Sequence, residues 1–274
     1  MNRFTHAALF LLLGLAALAH ADPEYPEDDN SPVAEEAGEA TNPGKDRQEQ
    51  LQAAVAAYER KDYAEARKIW QPLAEAGNGE AQNNLAVLYF KGQGVKRDEA
   101  EAIRWWKKAA AAGDPKAQNS LATFYVTGQG VKRDDAKAKE LYEQAAAAGN
   151  ADAQLNLGLM YEKGEFIKQD LAKAKEFYEK AAKKGVAAAQ GSLARFYLLG
   201  LAMEPDDAKA REWYEKAAAQ GDPQAQHNLG VIYLKGLDVP QDLAKARQWF
   251  KKAAAQGYKD AEKALQEIKA KEGD

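Results

Sequence analysis

The chain repeats itself every 36 residues, and this period restricts its fold more than any other feature. The glycines Gly77, Gly113, Gly149, Gly185, Gly221 and Gly257 are each 36 residues apart. Five further sets keep the same frame: Gln82, Gln118, Gln154, Gln190 and Gln226; Leu85, Leu121, Leu157, Leu193 and Leu229; Tyr89, Tyr125, Tyr161, Tyr197 and Tyr233; Gly92, Gly128, Gly164, Gly200 and Gly236; Asp98, Asp134, Asp170, Asp206 and Asp242. An alanine column, Ala102, Ala138, Ala174, Ala210 and Ala246, follows. A repeat of this length marks stacked helical hairpins, each burying its apolar face only against its neighbours. The predicted fold is all-α: a right-handed α/α superhelical solenoid of helix-turn-helix repeats.

Within a unit, Leu85, Ala86 and Tyr89 have the i, i+1, i+4 spacing of one buried helical stripe. The small residue after the leucine (Ala86, Ala122, Gly158, Ala194, Gly230) predicts close helix approach. The glycine ending this helix fits a left-handed C-cap, and the loop carries an aliphatic plug (Val95, Val131, Ile167, Met203, Val239). A second loop glycine is kept at Gly94 and Gly130 but gives way to Phe166, Ala202 and Asp238, which predicts turns of a different shape there. The aspartate column stands where the second helix needs an N-cap. That helix carries an aromatic column, Trp106, Tyr142, Tyr178, Tyr214 and Phe250.

The expected organisation follows. Residues 1–21 read as a secretory signal: Arg3 precedes an uncharged core from Ala7 to Ala19, and Ala19-His20-Ala21 places cleavage between Ala21 and Asp22. The core is shorter than the roughly 20 residues that span a membrane, so no stable anchor is expected after cleavage, and the mature chain is expected in the periplasm or secreted. Residues 22–46 hold nine acidic groups against Lys45 alone and little apolar mass, the composition of a disordered leader. Residues 47–77 read as a capping hairpin, with Leu51, Val55, Tyr58, Ala66 and Trp70 at helical spacing. Five repeats follow, at 78–113, 114–149, 150–185, 186–221 and 222–257. Residues 258–274 form a charged capping helix with Ala261, Leu265 and Ile268 inward.

The columns A-Q-x-x-L-[AG]-x-x-Y-x-x-G and A-x-x-W-[YWF]-x-x-A-A resemble the Sel1-like repeat, a relative of the tetratricopeptide repeat, over residues 47–272. The resemblance implies an adaptor scaffold that binds a protein or peptide. It also implies envelope assembly, host interaction or toxin immunity as settings in exported bacterial members. A cysteine-rich branch of that family is linked to β-lactam chemistry, so a cell-wall-directed enzyme or glycan-binding factor is the alternative.

The residues argue against catalysis. There is no cysteine, and the serines of the mature chain, Ser31, Ser120 and Ser192, begin no S-x-x-K sequence. His227 is the only histidine after the signal, too few for a zinc site or a positioned base. No catalytic residue, cofactor or metal is expected. From residue 47 onward there are 36 basic and 33 acidic groups, well mixed, so nucleic acid is not an expected partner. A monomer is expected.

If the units stack as tetratricopeptide repeats do, the first helices line a concave groove. The third, sixth, tenth and thirteenth residues after each closing glycine then face it. These are Glu80, Asn83, Val87 and Phe90; Lys116, Asn119, Thr123 and Val126; Asp152, Leu155, Leu159 and Glu162; Ala188, Gly191, Arg195 and Leu198; Gln224, His227, Val231 and Leu234. They vary between repeats and carry an apolar bias, as a partner-binding surface would. Asn83 and Asn119 are candidates to clamp a peptide backbone, and Arg195 is the strong central cation.

Overall fold

The computed structural model describes residues 43–273 except 166. The signal segment, its Ala21–Asp22 junction and most of the acidic leader lie outside the described residues. Thirteen helices and no strand occur among the described residues: α1 (Pro43–Glu59), α2 (Tyr63–Glu75), α3 (Gly79–Lys91), α4 (Glu99–Ala111), α5 (Pro115–Thr127), α6 (Asp135–Ala147), α7 (Ala151–Lys163), α8 (Leu171–Lys183), α9 (Ala187–Leu199), α10 (Asp207–Ala219), α11 (Pro223–Lys235), α12 (Leu243–Ala254) and α13 (Lys259–Gly273). The chain is an all-α solenoid of consecutive helical hairpins. Helix α1 begins earlier than expected, inside the segment read as leader. Proline is tolerated in a first helical turn, and Asp46 sits there favourably against the helix dipole.

Packing divides the structure into two compact units, one through Ala145 and one from Ala146. In the first, α1 packs on α2, α2 on α3, α3 on α4 and α4 on α5; in the second, each helix from α7 to α13 packs on the next.

Local chemistry fixes the hairpins. Asp62, Asp98, Asp134, Asp170, Asp206 and Asp242 each accept a hydrogen bond from the backbone N–H three residues on, so the expected caps are present. The first helices are capped as well, by Asn78, Asp114, Asn150 and Asp222. Val186 holds the same position before α9 and caps nothing.

The glutamine column has a role its spacing alone does not reveal. Each side-chain amide reaches back to the carbonyl eight residues earlier, in the last turn of the preceding second helix: Gln82 to Ala74 at 2.9 Å, Gln118 to Ala110 at 3.4 Å, Gln154 to Ala146 at 3.1 Å, Gln190 to Ala182 at 3.2 Å and Gln226 to Ala218 at 3.3 Å. Each of these carbonyls also accepts the N–H of the closing glycine three residues on, so the glutamine fills its second lone pair from the next hairpin. The glutamines are buried, so each bond is made where an unpaired side-chain amide would be costly.

The loops correct one expectation. Ala202 and Asp238 have φ of +58° and +60°, against +67° and +65° at Gly94 and Gly130. At these two positions losing the glycine leaves the left-handed φ in place, and Phe166 lies outside the described residues. Both loop ends are pinned, since the Asp206 and Asp242 N–H groups bond the Tyr197 and Tyr233 carbonyls as Asp98 bonds Tyr89. The substituted residues therefore bear a left-handed torsion that glycine would adopt freely.

The leucine column and Ala102, Ala138, Ala174, Ala210 and Ala246 are buried throughout. The small-residue column works by contact in two repeats: a Cβ on Gly158 or Gly230 would stand 2.6 Å from the ring of Tyr178 or Phe250. The plugs Val95, Val131, Ile167, Met203 and Val239 are only half-buried. In α1 the buried stripe is Leu51, Ala54 and Ala57, while Val55 is half-buried. Ala261 and Ile268 of α13 are buried as expected, and Leu265 packs against their cluster.

Candidate partner-binding face

The first helices carry one more core column than residue identity reveals. Leu88, Phe124, Met160, Phe196 and Ile232 are all buried. Their identities differ, so a search for repeated letters passes over them; their shared apolar character, three residues after the leucine, was the available signal. This column separates the tenth and thirteenth positions that were expected to face a groove.

In the first unit much of the expected face is closed. Asn83 is 4% exposed, Val87 4%, Asn119 6% and Thr123 5%. The cause is the large aromatic residue of the second helix. Trp106 lies 5.5 Å from Phe90 and 5.2 Å from Phe124, centroid to centroid, and its Nε1 donates to Asn83 Oδ1 at 3.1 Å. Asn83 also donates to Asn84 Oδ1, so its amide is engaged within the fold. Thr123 Oγ1 donates to the Asn119 carbonyl and bonds Tyr142 Oη at 2.9 Å. The two asparagines are therefore not outward-facing clamps. Glu80 and Lys116 are exposed, and Phe90 and Val126 are half-buried.

The second unit is more open. Leu155 is buried, but Asp152, Leu159, Glu162, Ala188, Gly191, Arg195, Leu198, His227, Val231 and Leu234 are half-buried, and Gln224 is exposed. Leu198 lies on the rim of the core around Tyr214, and Val231 and Leu234 on that around Phe250. Burial raises the Asp152 carboxyl above its ordinary value. His227 is not a free surface group: its ring lies 5.4 Å from Phe250 and 5.2 Å from Tyr258, and Nδ1 bonds Asn228 Oδ1. Ser120 Oγ donates to the Lys116 carbonyl.

At the centre of this face Arg195 Nη2 donates to Glu162 Oε1 at 2.5 Å, and Tyr178 Oη donates to Glu162 Oε2 at 2.7 Å. Burial, and then the Glu162 charge, hold the Tyr178 phenol far above the ordinary tyrosine range, so it remains a neutral donor. The Arg195 guanidinium also lies over the Phe196 ring at 5.5 Å.

The α9 hairpin departs from the frame at several points together. Val186 leaves the helix uncapped, Gly191 interrupts its interior, and Arg195 stands in a column of Val87, Thr123, Leu159 and Val231. Leu199 is 57% exposed where the other repeats have lysine or threonine, and the left-handed loop position that glycine or aspartate fills in the other described repeats is Ala202.

Among the described residues no group of three or more His, Cys, Asp or Glu side chains is placed to hold a metal ion. No helix among them is long and apolar enough to cross a membrane. The class of protein is thus a helical-repeat solenoid with one irregular, partly charged face on its first helices. The Sel1 repeat model matches residues 57–78, 79–114, 115–150, 151–186, 187–222 and 223–258, and the chain belongs to the Sel1 repeat family.

Several solved structures are similar. A Sel1 repeat protein from Oxalobacter formigenes is 33% identical, with a TM-score of 0.73, over 80% of this chain and 89% of that one. The protein c5321, a protective antigen of uropathogenic Escherichia coli with the same repeat fold, is 32% identical with a TM-score of 0.70. That match covers 81% of this chain and 48% of the E. coli protein, so the chain spans about half of its length. The immunity protein Pa5087 of Pseudomonas aeruginosa is 21% identical with a TM-score of 0.49, over 81% and 82% of the two chains, a level that does not bear on function. A search of curated proteins gives no match.

Proposed function

We propose that this protein is an exported, non-enzymatic scaffold that binds a protein or peptide partner on the first-helix face of its second unit. The Sel1 repeat solenoid commonly serves as a protein-interaction scaffold. The observation that carries the assignment to this face is the concentration of departures from the repeat frame in the α9 hairpin. Each departure costs stability or exposes apolar surface, and such local violations gather at functional sites. Half-buried Leu159 and Leu198 flank the Arg195–Glu162 pair on the same face, an arrangement that favours a partner with both apolar and polar contacts. Export is supported by Arg3, the apolar run from Ala7 to Ala19 and the Ala19-His20-Ala21 sequence. The absence of a catalytic reading is supported by the engaged states of Ser120 and His227.

The test is affinity capture from envelope extract with the processed chain and a Leu159→Glu/Leu198→Glu variant matched for helicity by circular dichroism. A protein retained only by the unmutated chain supports the reading. Equal retention by both forms removes the partner from this face. N-terminal sequencing of the exported chain is expected to begin at Asp22; a chain that keeps residues 1–21 overturns the export step.

A further inference from the structure

Gly191 sits in the interior of α9 where the other repeats have Asn83, Asn119, Leu155 and His227. Nothing in the fold requires a glycine there. Its φ is not positive, and a Cβ built on it meets nothing within 4 Å. This differs from Gly158 and Gly230, where an aromatic ring occupies the space. Glycine lowers the stability of a helix interior relative to alanine, and at Gly191 no packing gain offsets that loss. What the missing side chain leaves is open room on the face.

Arg195 follows one turn later on the same side of the helix. Its partner Glu162 has both carboxylate oxygens engaged, one by Arg195 and one by Tyr178. The guanidinium is a fork of five N–H donors, its side chain is 31% exposed, and Glu162 donates nothing in return. A half-desolvated ion pair is a weak source of stability. In the tenth and thirteenth columns every other residue is apolar or threonine, so this pair is the single charged element of both.

We infer that the open notch over Gly191 and the Arg195 guanidinium beside it form a subsite for an extended peptide segment. The notch takes one apolar side chain, Arg195 donates to the adjoining main-chain carbonyl, and Leu159 and Leu198 flank the segment. A gap left by one side chain admits one side chain, and an extended strand presents side chains to one face at every second residue. The acceptor is a neutral carbonyl because Glu162 already balances Arg195; a carboxylate would leave an uncompensated negative charge in a half-desolvated site. This inference rests on the protein-binding reading above and narrows it to a ligand class and a subsite.

A phage-displayed library of random dodecapeptides is panned on the full chain, and the strongest binder is measured by fluorescence anisotropy against three variants. Gly191→Leu fills the notch with a better helix former, so it remains folded. Arg195→Met removes the donors while keeping much of the stem. Leu159→Glu tests the face without entering the notch. The expected result is a loss of about tenfold or more with each of Gly191→Leu and Arg195→Met, with affinity nearly constant between low and high salt. An ester in place of the amide whose carbonyl meets Arg195 is expected to weaken binding to the wild type and not to Arg195→Met. Peptides that bind Gly191→Leu and Arg195→Met as well as wild type, yet are lost with Leu159→Glu, overturn the subsite and leave the face standing. A steep loss of affinity with salt overturns the neutral acceptor. A library with no enriched binder overturns the peptide class, and the capture experiment then decides the scaffold reading separately.

Discussion

Replacing Ala112 by glutamine is expected to stabilise the first unit, and the reason is visible in the second. Gln256 Nε2 donates to Gln226 Oε1 at 2.9 Å and to the Gly221 carbonyl at 3.0 Å, and Gln220 donates to Gln190 Oε1 at 2.8 Å. Gln82 holds the same place in its repeat, but its Oε1 is buried without a donor, and the residue 30 positions after it, as Gln220 is after Gln190 and Gln256 after Gln226, is the exposed Ala112. The backbone there is already suitable: φ and ψ are −78° and 0° at Ala112, against −83° and 1° at Gln220. An unsatisfied buried acceptor costs about 1–3 kcal/mol, and ordering a glutamine side chain costs up to about 1.5–2 kcal/mol. The net gain is therefore about 1 kcal/mol, or roughly 2–4 °C in the melting midpoint of a chain this size. Ala112→Met adds a similar stem without a donor and serves as the control. The assay is urea unfolding of the full chain, with amide exchange to locate the effect in α2–α4, since repeat stability propagates through nearest neighbours. Equal stability of Ala112→Gln and Ala112→Met would refute the argument. So would a Gln256→Ala variant as stable as wild type.

Four further substitutions follow from single contacts. Val186→Asn is expected to supply the missing cap of α9 and add about 1 kcal/mol in chemical denaturation. Gly158→Ala drives a methyl into the Tyr178 ring and is expected to cost about 1–3 kcal/mol by the same measure, the price of overpacking. Ala202→Gly relieves a left-handed torsion worth roughly 1–2 kcal/mol and, after the added freedom of the unfolded chain, is expected to stabilise slightly; a loss of stability refutes the strain argument. Asp152 has a folded pKa raised by burial, so its contribution is favourable below the unfolded value and is lost as pH rises through the folded one. Asp152→Asn is therefore expected to melt higher than wild type at neutral pH and to converge with it in acid; a gap that widens in acid has the wrong sign.

The frame of the fold was legible because a solenoid repeats its chemistry along with its geometry. Identical neighbours demand identical residues, so the leucine, aspartate and glycine columns announced the hairpins and the second-helix caps. Roles were harder to read than positions. The glutamine column was plain, but that its amide reaches the preceding helix end depends on how one hairpin meets the next. The column of Leu88, Phe124, Met160, Phe196 and Ile232 was missed because packing asks for volume and not for one residue type. The face was read least well. Asn83 and Asn119 look like surface amides at their spacing, yet both are buried, and Asn83 accepts from the Trp106 indole. Variation between repeats therefore marks two different things, repacking in the first unit and an open surface in the second.

That distinction bears on where function sits in a repeat array. A solenoid gains stability from regularity, so a hairpin that abandons the frame loses it unless another demand keeps the departure. In α9 the departures are of unrelated kinds: a missing cap, an interior glycine over empty space, a charged residue in an apolar column, an exposed leucine and a strained loop alanine. No single packing change explains them together. Gly191 and Arg195, one turn apart, open room and supply a donor at the same place, whereas Val186 and Ala202 lie at the ends of the hairpin. The first two should therefore be intolerant of change for binding, and the last two open to repair. A Val186→Asn/Ala202→Gly chain that gains stability and keeps its ligand, beside a Gly191→Leu chain that gains stability and loses it, would separate the two demands. If both chains kept the ligand, the irregularity of α9 would be drift and the partner would have to be sought on another helix.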